Sequence, residues 1–100
     1  MKQATIDNID EIASLVAEVK KNDGYQMSNS INTELHMIRG KLIALSDGDV
    51  DFYFERVNSN ARVGMYKITL KCDDEAEELI NEKITWANMK ALVQKSILKT

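Results

Sequence analysis

The sequence predicts an α+β fold in the order α-α-β-β-α-α: a helical hairpin and a C-terminal helix pair packed on a short antiparallel β-hairpin. Three observations carry this. Apolar residues recur at spacings of three and four in residues 5–22 and 31–46, the period of an amphipathic helix. They alternate with polar residues in 50–55 and 65–72, the period of a half-buried strand. Helical spacing then returns to the chain's end. Pro is absent and Gly occurs four times, which favours long unbroken elements. A chain of 100 residues makes one domain, 1–100, able to bury about two-thirds of its unfolded surface around a single core.

The first helix is read from Thr5 to Asn22. Ile9, Ile12, Val16 and Val19 form its stripe, Thr5 is a candidate N-cap, and Asp7, Asp10 and Glu11 suit the positive end of the helix dipole. Asp23-Gly24 stops it, and "YQMSNS" (25–30) is a polar connection. Ser30 is a candidate cap for the second helix, Ile31 to Ser46, where Ile31, Leu35, Ile38, Leu42 and Leu45 repeat in a strict heptad. Gly40 lies mid-helix, a position that costs about 1 kcal/mol relative to Ala and often marks a close neighbour. The two stripes suit an antiparallel helical hairpin, and they would equally serve a homodimer through the first and second helices.

Gly48 ends the second helix and the first strand follows. Phe52 and Phe54 point inward if Asp49, Asp51, Tyr53 and Glu55 point outward. Tyr66, Ile68 and Leu70 set the second strand, after a turn around "VNSNA" (57–61). For both inward sets to share a face, paired residue numbers must sum to an even value, so the loop holds three or five residues. Lys67 and Lys71 then stand opposite the acidic strand.

The last third is charge-split: residues 73–82 hold six acids and no base, and 83–100 hold four Lys and no acid. Asp74 and Glu77 form a possible capping box for a helix to Glu82, and Thr85 is a candidate cap for a final helix. That helix would turn Met89, Leu92, Val93 and Ile97 inward, with Trp86 in its first turn.

Several chemistries fail on spacing. In "SDGDVDFYFE" (46–55), an EF-hand loop starting at Asp47 would need Gly at position six and Glu at position twelve; these are Phe52 and Asn58. His36 and Cys72 are the only soft metal ligands, and a structural zinc site takes four. No nucleophile elbow or phosphate-cradling glycine run is present. The expectation is therefore a protein without catalysis, metal or cofactor. A single cysteine offers no internal disulfide, "MKQATIDNIDE" (1–11) has no apolar signal core, and no apolar run approaches membrane-spanning length. These point to the cytoplasm and away from a membrane partner.

Net charge is −3, against a surface that grips phosphate throughout. The expected function is a small regulatory or adaptor protein that binds a protein partner. Asp49, Asp51, Tyr53 and Glu55 would form an acidic–aromatic face, which as an inhibitor would imitate nucleic acid, and Trp86 would act as an anchor if exposed. The alternative is a DNA-binding regulator with a helix-turn-helix at 75–98, using Lys83, Asn88, Lys90, Gln94 and Lys95. Charge favours the first: the helix before the turn is acidic, and no Arg, the commonest base reader, occurs after residue 62.

Overall fold

A computed structural model describes the backbone of residues 1–58 and 64–98, and side chains through residue 93 except that of Asn58. Its elements run α1 (Gln3–Asp7), α2 (Ile9–Lys20), α3 (Asn29–Ser46), β1 (Asp51–Asn58), β2 (Gly64–Lys71) and α4 (Asp74–Leu98). The α+β class, the leading helices, the central hairpin and the helical C-terminus are those expected from sequence. Two details differ. The first helix is broken at Asn8, whose side chain donates to the Ala4 and Leu45 carbonyls. The C-terminal segment is one rod of 25 residues rather than two helices.

That rod is continuous because nothing at residues 83–85 stops it. No Gly or Pro is present there. The Thr85 hydroxyl, expected to cap a new helix, donates back to the Asn81 carbonyl at 2.9 Å, as a helix-interior threonine can. The N-terminal caps are shifted too. Ser28, not Ser30, caps α3 by accepting from the Ile31 N–H at 3.3 Å. Asp73 caps α4, accepting from the Ala76 N–H at 2.8 Å.

The helical stripes meet the hairpin in one core. Ile12, Val16 and Val19 of α2, Leu35, Ile38 and Leu42 of α3, and Val50, Phe52, Tyr66 and Ile80 are all buried. α2 and α3 therefore turn these seams inward against their own chain, and those buried residues are not open for a homodimer. The strands pair Asp51↔Lys71, Phe52↔Leu70 and Phe54↔Ile68, a register whose residue numbers sum to an even value. Five positions separate the last pair, Asn58↔Gly64; the expected turn lies, from position 59, outside the described residues.

The connection after α2 is more than a loop. It lies along the outer edge of β2, with Gly24 N–H donating to the Tyr66 carbonyl at 2.8 Å, Tyr66 N–H to Tyr25 at 3.0 Å and Met27 N–H to Gly64 at 3.0 Å. Asp23 accepts from the Ile68 N–H at 2.9 Å. The backbone groups of an edge strand are thereby occupied, which removes a route to edge-to-edge pairing. The buried Tyr66 ring also donates its hydroxyl to the Ser28 carbonyl at 3.1 Å.

A buried polar turn joins α3 to β1. Ser46 is fully buried; its Oγ donates to the Leu42 carbonyl at 2.6 Å and accepts from the Val50 N–H at 3.0 Å. Asp47 takes the left-handed conformation (φ 52°) and Gly48 follows at φ 85°. The Gly48 N–H donates to the Ile43 carbonyl at 2.9 Å, ending the helix.

Two stability changes follow. Ser46→Ala leaves the Val50 N–H buried without its acceptor and should lower unfolding free energy by about 1–3 kcal/mol in urea titrations. Gly40, expected to mark a close neighbour, would place a Cβ with nothing within 4 Å. Gly40→Ala should therefore stabilise the protein by about 0.5–1 kcal/mol; a loss of stability would reveal a contact at that face.

Candidate protein-binding faces

The acidic strand is the first candidate, and hairpin register decides its surroundings. Glu55 stands opposite Lys67, with carboxylate and ammonium 3.9 Å apart. Lys71 reaches over the Tyr53 ring, 5.0 Å from its centroid. Tyr53 remains 43% exposed. The two aspartates are engaged from the other side. Asp51 takes a bidentate grip from Arg39 of α3, at 2.8 Å to Nε and 3.0 Å to Nη2, and also accepts from the Phe52 N–H at 2.7 Å. Forked pairing of this kind fixes geometry as well as charge. The Arg39 hydrogen bonds hold the Asp51 carboxyl below the usual carboxylate range, opposed by partial burial and helped by the Phe52 N–H, and Asp51 in turn raises Arg39.

Asp49 precedes the strand and turns back to the start of the chain. Its carboxylate accepts from the Lys2 backbone N–H and, at 2.8 Å, from the Thr5 hydroxyl. Thr5, expected as an N-cap, is instead a fully buried residue inside α1. These bonds, the Lys2 N–H first and Thr5 second, draw the Asp49 carboxyl down. The Lys2 ammonium meanwhile donates to the Asp47 carbonyl at 2.6 Å and stands 3.6 Å from its carboxylate. The three alternating aspartates are thus engaged within the chain, Asp47 and Asp49 by its first residues and Asp51 by Arg39. Arg39 and Lys2 were not evident as those partners, because each pairs across a tertiary contact that no local spacing encodes.

The other reactive groups have ordinary settings. Burial, with Glu77 and Asp73 adding to it, pushes the Cys72 thiol up to about 11, so it stays protonated near neutrality. The exposed His36 ring packs edge-on against Phe54, with centroids 5.0 Å apart. Among the described residues, no three His, Cys, Asp or Glu side chains are grouped so as to hold a metal ion. Also among them, no helix is long and apolar enough to cross a membrane.

The second candidate is α4. Ala76, Ile80 and Ile84 lie on one line of this helix and pack inward, Ile84 only partly. Burial ends there: every residue from Thr85 to Val93 is exposed. Met89, Leu92 and Val93, expected inward, are 55%, 67% and 58% exposed, because an unbroken rod runs past the core instead of folding back over it. Ile97, also expected inward, has its side chain outside the described residues. Trp86 is 58% exposed, with the Lys90 ammonium 5.9 Å from its ring centroid. Leu79, Trp86 and Val93 are seven residues apart on a second line, about 120° round the helix from Ile80. Met89 completes a heptad seam with them.

The residues proposed to read DNA do not form a helix-turn-helix, since α4 has no turn. Lys83 stands 3.5 Å from Asp10 of α2. Asn88 and Lys90 line an open groove between α4 and the small residues Ala13, Ser14 and Ala17 of α2. Gln94 and Lys95 continue the helix, and their side chains lie outside the described residues.

No protein-family model, curated protein sequence or solved structure matches this chain.

The Asp49 contacts imply a pH dependence. A carboxyl held below its ordinary value contributes stability that is complete above the ordinary aspartate pKa of about 3.9 and is lost as pH falls through the lower folded value. Asp49→Asn should therefore reduce stability at neutral pH and flatten its acid dependence below about pH 4, measured by urea unfolding across pH.

Proposed function

We propose that this chain is a small non-catalytic adaptor or regulatory protein that binds a protein partner through the exposed seam of α4. The observation that carries this is the four-residue apolar group Trp86, Met89, Leu92 and Val93, each more than half exposed on one regular element. Scattered surface apolar residues are ordinary, but a contiguous group on a rigid helix is the usual form of an interaction face. Trp is the residue most enriched where binding energy concentrates, because it removes a large apolar area from water at little entropic cost.

The order of charges along α4 defines the occupant. Residues 74–82 are acidic, and Lys83, Lys90 and Lys95 follow. A complementary partner presents an amphipathic helix with bases opposite the first half and acids opposite the second. The acidic strand face supports partner binding less well, because Asp49 and Asp51 already satisfy internal donors.

Affinity capture with matched variants separates the two faces. Trp86→Glu should weaken partner retention by roughly 30-fold or more while leaving the circular dichroism spectrum unchanged, since truncating a central anchor costs about 2 kcal/mol or more. Glu55→Gln should leave retention unaltered. The opposite pattern would move the binding face to the strand.

A further inference from the structure

We infer that the partner helix is α4 of a second copy of this chain, seated antiparallel on the Leu79–Trp86–Met89–Val93 seam, so that the protein is a symmetric dimer. This rests on the assignment of α4 as the binding face and adds its occupant. The argument is one of charge order along a single helix. Asp74, Glu75, Glu77, Glu78 and Glu82 occupy its first third, with no base among them; Lys83, Lys90 and Lys95 follow, with no acid through Leu98. A second α4 running antiparallel sets the acidic end of each copy against the basic end of the other, twice over by the two-fold symmetry. A parallel copy would set acid against acid. Lys83 is already held by Asp10, which leaves Lys90, beside Trp86, as the cation for Glu82 of the other copy.

The seam itself is also self-complementary. Trp86 lies midway in sequence between Leu79 and Val93, so a two-fold axis near Trp86 places Leu79 of each copy beside Val93 of the other. A rod of 25 residues is about 37 Å long, enough for more than two heptads of contact. The face is also reachable: Glu75 and Glu82, at the same heptad position as Met89, and Glu78 beside them are exposed, as are Trp86, Met89 and Val93.

Sedimentation equilibrium of the full chain from micromolar to millimolar concentration tests the dimer. Wild type should show a monomer–dimer equilibrium that weakens with salt. Trp86→Glu and Val93→Glu should each raise the dissociation constant roughly 30-fold or more with helix content unchanged. Orientation is read by disulfide trapping in a Cys72→Ser background. A mixture of Leu79→Cys and Val93→Cys chains should give the mixed disulfide in preference to either like pair. A wild-type chain that stays monomeric throughout, a dimer indifferent to Trp86→Glu, or a dominant 79–79 disulfide would overturn the inference. If the chain is monomeric yet shows Trp86-dependent capture of a different protein, self-pairing fails while the binding face stands; loss of both removes the two together.

Discussion

A helix longer than the core it covers must leave part of its length in water. That constraint shapes the C-terminal third of this protein. α4 has 25 residues, but its buried line ends at Ile84. The overall dimensions agree: the radius of gyration is 15.3 Å, against about 13 Å for a compact chain of this length. From Thr85 to Val93 the helix has no second layer to lie on, so its apolar residues there face solvent whatever their direction. A chain that lacked a partner for them would expose a Trp, a Met, a Leu and a Val without return. The exposed seam is thus a consequence of helix continuity, and helix continuity follows from the absence of any stop signal at 83–85.

The body to which α4 is fixed is held by polar connections as much as by its core. Ser46 ties the end of α3 to the start of β1, Arg39 clamps Asp51, and Asp49 gathers Lys2 and Thr5. All three lie around the single stretch 46–51. A two-stranded hairpin is marginal by itself in water. Here its inner face rests on α2 and α3, its β2 edge on the 23–27 segment, and its entry on this polar turn. The acidic stretch is therefore a structural joint. Its carboxylates orient the strand relative to the helices and hold the first turn of the chain.

Much of the fold was legible because period and parity are local properties. The spacing of Ile12, Val16 and Val19, the heptad of Leu35, Ile38 and Leu42, and the alternation around Phe52 and Tyr66 all translate directly into buried faces. The even-sum register was legible for the same reason. What escaped depends on contacts distant in sequence. Thr5 looked like a cap because its type and position suit one, but Asp49, 44 residues away, recruits its hydroxyl. Thr85 looked like a cap for the same reason, but its hydroxyl turns back to the Asn81 carbonyl within the helix. The candidate site divided along this line. Trp86 is exposed, the condition set on its acting as an anchor, whereas the engagement of Asp49 and Asp51 by internal bonds required the tertiary arrangement.

Trp86 is the only tryptophan in the chain, so its fluorescence reports directly on whether α4 is one exposed rod. The decisive measurement is its emission and acrylamide quenching in the dilute, monomeric chain. A continuous α4 predicts emission close to that of free tryptophan in water and nearly unhindered quenching. A blue-shifted emission protected from acrylamide at the lowest concentrations would mean that the helix breaks near Lys83 and folds Trp86 into the core, and would contradict the account.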